Sequence, residues 1–249
     1  MFADLFLGPR YVLRGFRLIA RPGLRRFFII PLCINIAVFV VLIWLALAHY
    51  ATLIQWLLPV GDGWWALMAR QFLWLLFAVT AAIVMFFGFS LVANLIAAPF
   101  NGRLAERVEQ MLGSVGARHD VMRASTASGA WASFVNELRK LVYFLTVLVI
   151  MLILTLIPVV NLAAPFMWFI VGCWMLALEY LAYPMENHAM SFVQVRRAAR
   201  AQRALTLSFG AAVMAATFVP GINFAVMPAS VAGATAMWLE RGGQRGLQR

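Results

Sequence analysis

Two long apolar stretches constrain this chain more than any other feature. Phe27–Leu58 contains no Asp, Glu, Lys or Arg, and Trp64–Phe100 contains only Arg70. A helix of about 30 residues is roughly 45 Å long, whereas the hydrocarbon core of a bilayer is roughly 30 Å thick. Both stretches therefore predict long transmembrane helices that tilt or protrude from the membrane.

The composition also points to lipid as the solvent of much of the surface. Hydrophobic residues make up 64% of the 249 residues and charged residues only 12%, which is too little polar surface for a water-soluble domain of this size. The formal net charge is +11, but the arginines flank the apolar stretches, as topology signals do, instead of forming a patch on a polar fold. We therefore expect a multi-pass membrane protein and no nucleic-acid partner.

The basic residues also predict an orientation. They crowd the N-terminal arm, residues 103–140, residues 196–203 and the C-terminal tail. The connection between the two long stretches, residues 59–70, carries only Asp62 and Arg70. Because basic loops remain on the cytoplasmic side, we expect the four basic regions to be cytoplasmic and this connection to face outside.

Two later apolar regions predict proline-tipped helical hairpins. Residues 141–183 turn at Pro158, and residues 205–239 turn at Pro220. Their legs of about 15–18 residues span roughly 22–27 Å, which is marginal or short for a full crossing. Full crossing and partial insertion both remain open. The chain is thus predicted to be one integral membrane domain over residues 1–249, all-α, with two long transmembrane helices, two hairpins and amphipathic cytoplasmic helices that include residues 101–140.

The N-terminal arm, residues 1–26, has an amphipathic pattern. Its spacing places four arginines within about a 60° sector of a helix, with apolar residues on the far side. The arginines are Arg10, Arg14, Arg17 and Arg21, and the apolar residues are Val12, Phe16 and Ile19. A second basic stripe contains Arg196, Arg200 and Arg203. Such stripes suit the headgroup region, which makes membrane lipids expected partners, although cytoplasmic anchoring is the more usual reason for basic flanks.

A candidate anion site lies directly before the first long helix. Pro22 and Gly23 end the basic arm, Leu24 follows, and Arg25 and Arg26 stand where the new helix starts. Free N–H groups at a helix start, its partial positive charge and two guanidinium groups together suit a tetrahedral oxyanion. The alternative is that these arginines only mark the cytoplasmic side.

A second candidate follows the other long helix, in the segment from Pro99 to Arg107. Arg103, Glu106 and Arg107 are three and four residues apart, so their polar groups share one helix face. They form either a surface ion-pair cluster or an inward face that attracts anions, in which Glu106 shapes the field or carries a proton.

The chemistry of an enzyme is missing from the sequence. We find no nucleophile with a base, no pair of aspartates and no set of metal ligands at membrane depth. No Gly-rich loop precedes a Lys and a Ser or Thr, as nucleotide hydrolysis would require. We therefore expect neither catalysis nor a metal or cofactor.

Several short motifs occur in a specific order. Gly23-Leu24-Arg25 begins the first long helix, Ala98-Pro99-Phe100-Asn101 ends the second, and a Tyr183-Pro184 turn and two proline-tipped hairpins follow. In this order and in its length, nearly the whole chain resembles the CysZ-type sulfate permeases of bacteria. The resemblance implies an oligomeric inner-membrane protein that takes up sulfate for cysteine biosynthesis, passively or linked to protons.

The resemblance also implies roles for both candidate sites. Gly23, Leu24, Arg25 and Arg26 would match the sulfate-binding helix start of the family. The polar cluster near its permeation route would contain Asn101, Arg103, Glu106 and Arg107. One subunit has few polar residues at membrane depth, so we expect the path between subunits or between the hairpins. The competing hypothesis is a membrane scaffold or accessory subunit that binds anionic lipids without transport.

Overall fold

The computed structural model describes residues 2–57, 63–113 and 127–241, and all regular secondary structure within these residues is helical. Eight α-helices and one 3-10 turn, Val160–Ala163, follow one another in these ranges. The helices are α1 Phe2–Ile19, α2 Arg26–Leu57, α3 Trp64–Met111, α4 Ala127–Leu156, α5 Ala164–Asn187, α6 Phe192–Ala201, α7 Arg203–Thr217 and α8 Asn223–Arg241.

Three helical segments are long and apolar enough to cross a membrane: Arg26–His49, Val135–Leu156 and Val160–Asn187. This confirms the prediction of an all-α membrane protein. The first hairpin has longer legs than its apolar stretch suggests, since α4 has 30 residues and α5 has 24. Both helices extend through polar residues that a hydropathy pattern does not assign to them. Full crossing and partial insertion of the hairpins both stay predictions.

The second long helix extends further than predicted. The apolar stretch ends at Phe100, but α3 continues to Met111, so Asn101 to Arg107 occupy its last turns. Residues 59–62, which belong to the connection predicted to face the outside of the cell, are not among the described residues. The same holds for residues 114–126 of the predicted cytoplasmic region.

The contacts between residues divide the chain into two compact units. The first, which we call the helical core, contains Met1–Phe28 and Asn101–Arg249, and the second, the apolar unit, contains Ile29–Phe100. Many large side chains of the apolar unit are exposed, including Trp44, Leu47 and Trp64. Lipid is the medium in which such exposure is stable. The expectation of one membrane domain over residues 1–249 stays a prediction.

The helical core is built by close approach of helix backbones at small residues. Helix α1 packs against α7 and α8, and α5 packs against α7. A methyl group at Gly15 would overlap the carbonyl oxygen of Ala229 on α8, and one at Gly210 would overlap that of Cys173 on α5. Small residues of this kind let helices pack tightly where the hydrophobic effect does not drive them together.

The apolar face of α1 is covered by protein. Val12 and Ile19 are buried and Phe16 is partly buried, while Arg10 and Arg17 are exposed. The predicted division of the arm into a basic and an apolar face is therefore present. The apolar face, however, packs on α7 and α8 instead of being free to enter the headgroup region.

We predict that Gly15→Ala destabilises the protein by roughly 1–3 kcal/mol, because the added methyl group forces α1 away from Ala229. Thermal unfolding in detergent measures the effect. The matched control is Gly102→Ala, whose methyl group would meet only the Asn187 side chain at an ordinary 3.8 Å. Equal unfolding temperatures for the two variants would show that α1 and α8 do not need this close approach.

Candidate functional site

The segment between α1 and α2 is a tight turn fixed by Gly23 and Leu24. Gly23 adopts a φ of +92°, in the left-handed region that side chains with a Cβ rarely occupy. Leu24 is 0% exposed and belongs to the same buried cluster as Leu104 and Val108 of α3. The turn is therefore anchored by a buried side chain, with the arginines on either side of it exposed.

The turn uses some of the N–H groups that the sequence suggested would be free. The N–H groups of Leu24 and Arg25 both donate to the carbonyl of Arg21, each at 3.2 Å. Those of Phe27 and Phe28 donate to the carbonyls of Leu24 and Arg25. These four N–H groups are therefore not free, unlike the free N–H groups expected at the helix start, because a tight turn precedes α2. Among the described backbone bonds, none uses the N–H of Gly23 or Arg26.

The two guanidinium groups at the helix start are accessible. Arg25 and Arg26 are both exposed. The guanidinium carbon of Arg26 lies 5.0 Å from the centre of the Phe27 ring, a cation–π contact that favours one orientation of this side chain. Exposed guanidinium groups of this kind are able to pair with anions.

The second group of predicted residues occupies the last turns of α3. Asn101 is 3% exposed, Glu106 is partly buried, and Arg103 and Arg107 are exposed. Burial and the nearby carboxylate of Glu109 raise the pKa of Glu106 above its ordinary 4.5, although the charge of Arg103 opposes them. Glu106 therefore holds its proton at a higher pH than a carboxyl group in water.

The two groups of residues are connected through Arg21. Its guanidinium nitrogen lies 3.9 Å from the sulfur of Met111, at the end of α3. Arg107 bonds instead to its own helix, donating to Gln110 at 2.7 Å. The described contacts thus join the helix start to α3 through Arg21 and the buried Leu24, and not through Arg25, Arg26 or Arg103.

Sequence reasoning missed a buried polar pair beside this region. A nitrogen of His188 lies 2.9 Å from a carboxylate oxygen of Glu109, and the side chain of Glu109 is 1% exposed. The His188 ring also packs on Trp238, with ring centres 4.6 Å apart. Next to it, the Asn187 amide donates to the carbonyl of Gly102 at 3.0 Å. These contacts hold the last turns of α3 against the end of α5.

A second missed cluster joins α4 to α5 within their apolar segments. Lys140 contacts Glu137 at 3.0 Å and Glu179 at 3.2 Å, and its side chain is only 12% exposed. Asn136 donates to Glu186 at 3.2 Å. Ionisable residues within apolar helices are expected to pair in this way. Glu179 is a charged residue within an apolar stretch, but its partner Lys140 is 39 residues away in the sequence.

The basic arm is attached to α8 by a polar contact. Arg14 forms an ion pair with Glu240, and the hydroxyl of Tyr11 donates to the same carboxylate at 2.9 Å. Burial alone would raise the pKa of Glu240, but the hydrogen bonds from Arg14 and Tyr11 and the charges of Arg14 and Arg241 hold it below 4.5.

Within the part of the chain that the structure describes, no group of three or more His, Cys, Asp or Glu side chains could hold a metal ion.

Comparison with known proteins gives the family. The profile of a family described as "Sulfate transporter CysZ/Etoposide-induced protein 2.4" matches residues 11–228. The chain belongs to this family. Relatives named sulfate transporter CysZ include one from Pseudomonas paraeruginosa, 37% identical over 97% of this chain and 98% of the relative. Another, from Pseudomonas fluorescens, is 38% identical over 98% of both chains, and one from Pectobacterium atrosepticum is 35% identical over 94% of this chain and 85% of the relative.

Membership supports three predictions made from the sequence. The resemblance to the CysZ-type permeases is correct, and it extends over nearly the full length of the chain. The family description and the relatives name a sulfate transporter, which supports the prediction that the chain is not an enzyme. Together with the apolar helices, it identifies a multi-pass membrane protein of the kind found in the bacterial inner membrane.

We predict that Glu240→Gln weakens the protein at neutral pH by roughly 0.5 kcal/mol, as expected for a largely exposed pair. Because the folded-state pKa of Glu240 is lower than its unfolded value, its contribution is present above about pH 4.5 and is lost as the pH falls further. Unfolding of both proteins in detergent should therefore differ at neutral pH and converge in acid. A difference that does not change with pH would contradict this.

Proposed function

We propose that this protein is a sulfate permease of the bacterial inner membrane that supplies sulfate for cysteine biosynthesis. The observation that carries the proposal is the match, at 37% identity over nearly the full length of both chains, to a protein named sulfate transporter CysZ. The exposed basic helix start supports it, because a doubly charged oxyanion requires fixed cationic donors when it leaves water.

In this proposal, sulfate first binds at the start of α2. Arg25 and Arg26 provide exposed guanidinium groups, and the described backbone bonds do not use the N–H groups of Gly23 and Arg26. The partial positive charge of the helix N-terminus adds to the attraction. Leu24 acts indirectly: its buried side chain fixes the turn that carries these donors.

The last turns of α3 would form the next part of the route. Arg103 and Arg107 attract the anion, and Asn101 offers a polar group between the apolar part of α3 and these charges. Glu106 opposes anions when it is ionised and ceases to do so when it is protonated. This gives the transporter a link to protons, which we include in the proposal.

We further propose that the protein acts as a homo-oligomer in contact with anionic lipids. The exposed apolar side chains of α2 and α4 offer surface for both subunits and lipid, and the exposed arginines Arg10 and Arg17 face away from the buried side of α1. Basic residues near a membrane surface attract anionic headgroups.

The first test is uptake of radiolabelled sulfate into proteoliposomes that contain only this protein. We predict that Arg25→Ala/Arg26→Ala lowers kcat/KM for uptake by at least about tenfold, because two charge-assisted interactions with the anion are lost. The control is Arg139→Ala/Arg197→Ala, which removes the same charge from exposed positions outside the proposed route.

Saturable uptake that the control retains and the Arg25/Arg26 variant loses would support the proposal. Uptake by the wild-type protein that is no faster than in empty vesicles would overturn it and favour a scaffold or an accessory subunit. Equal uptake by the two double variants would show that Arg25 and Arg26 at the helix start are not part of the route.

We predict that Glu106→Gln abolishes the pH dependence of sulfate uptake. Because the pKa of Glu106 is raised, the wild-type carboxylate begins to be protonated at a higher pH than an ordinary one, so uptake should rise as the pH falls. The neutral variant should show a flat profile between about pH 8 and about pH 5. The same slope in both proteins would exclude Glu106 as the proton-linked group.

A further inference from the structure

An open groove of about 510 Å³ lies in the helical core. Its walls come from α4, α5 and α7, and its rim from the end of α6 and the start of α7. Its volume lies in the range of ligand sites in proteins. We call it the Trp174 groove; it is lined by Tyr143, Val147, Ile170, Val171, Trp174, Arg200, Arg203 and Leu207.

The walls of the Trp174 groove suit a hydrocarbon chain. Val147, Ile170 and Val171 belong to two of the three helical segments that are apolar and long enough to cross a membrane. The polar atoms of the two aromatic residues bond to each other, since the Trp174 ring N–H donates to the Tyr143 hydroxyl at 3.2 Å. The walls therefore present few unsatisfied polar groups, and an acyl chain finds there an apolar surface like that of the bilayer interior.

The rim of the groove is cationic. Arg200 and Arg203 are both exposed, and among the described lining residues none is acidic. A third cation stands beside them, because the guanidinium of Arg196 lies 4.6 Å from the centre of the Tyr143 ring. Arg196 and Arg200 are one helical turn apart on α6, so both present their charge on one side of that helix.

We propose that the Trp174 groove binds one anionic phospholipid. Its phosphate lies between Arg200 and Arg203, and one acyl chain runs along Val147, Val171 and Trp174. Guanidinium groups pair with phosphate oxygens through two parallel hydrogen bonds, and basic pockets between transmembrane helices on the cytoplasmic side are known to suit anionic headgroups.

The combination of a cationic rim and an apolar wall decides between a lipid and a free oxyanion. A free anion that entered the groove would lose hydration water. The apolar part of the lining would offer it no hydrogen bonds in exchange. A phospholipid places its charge and its hydrocarbon in contact with matching surfaces. The site is separate in sequence from the proposed sulfate route, and its occupancy does not depend on transport.

The test is native mass spectrometry of the full chain in detergent, titrated with dioleoyl phosphatidylglycerol or with dioleoyl phosphatidylcholine. We expect one tightly retained phosphatidylglycerol and weaker phosphatidylcholine binding. Arg200→Ala/Arg203→Ala should weaken phosphatidylglycerol binding about 30-fold, as expected from losing two basic contacts near a headgroup. Arg139→Ala/Arg197→Ala, which removes two exposed arginines that do not line the groove, should bind as the wild type does.

A second variant tests the apolar wall without changing the charge. Val147→Trp should fill the groove from the lipid-facing helix α4 and also lower phosphatidylglycerol retention, while thermal unfolding in detergent reports whether each variant remains folded. The proposal is overturned if the two lipids bind equally, if the control loses binding as strongly as the Arg200/Arg203 variant, or if folded Val147→Trp binds as the wild type does. Displacement of the lipid by sulfate at equimolar concentration would overturn it in favour of an oxyanion site.

Discussion

The helical core depends on close approach of helix backbones at glycine. In a membrane the hydrophobic effect does not press helices together, so tight packing must come from van der Waals contact at short range. Gly15 brings α1 onto α8, and Gly210 brings α7 onto α5. Through these contacts α8 becomes almost wholly buried from Val226 to Trp238. The His188 ring then packs on Trp238, which connects this core to the buried Glu109 of α3.

The sequence predicted the class of fold well because hydropathy and charge are local properties. The uncharged run from Phe27 to Leu58 corresponds closely to α2, Arg26–Leu57. The same reasoning did not reveal that α4 begins at Ala127, because polar residues between Asn136 and Lys140 separate its first turns from the apolar stretch that begins at Leu141. Nor did it reveal that α8 is covered by protein. Hydropathy measures how apolar a helix is, and it does not distinguish a helix that faces lipid from one that faces other helices.

In the candidate sites too, residues close together in the sequence could be identified, whereas contacts between distant residues could not. Arg25, Arg26 and the cluster from Arg103 to Arg107 were found because each group is contiguous in sequence. Glu109 and His188 are 79 residues apart, so only the packing of α3 against α5 brings them together. The backbone donors were misjudged for a related reason. Pro22 and Gly23 indicated a break, but they did not indicate that the Arg21 carbonyl would accept two N–H groups.

The contact between the first and last helices also determines when the core can be completed during synthesis. Arg14 and Glu240, which join α1 to α8, are 226 residues apart. At about 5–20 residues per second, the ribosome needs roughly 10–45 s after making the first to deliver the second. During that interval the small-residue face of α1 lacks its partner, so the nascent chain must be protected by lipid or by the insertion machinery until α8 has been made.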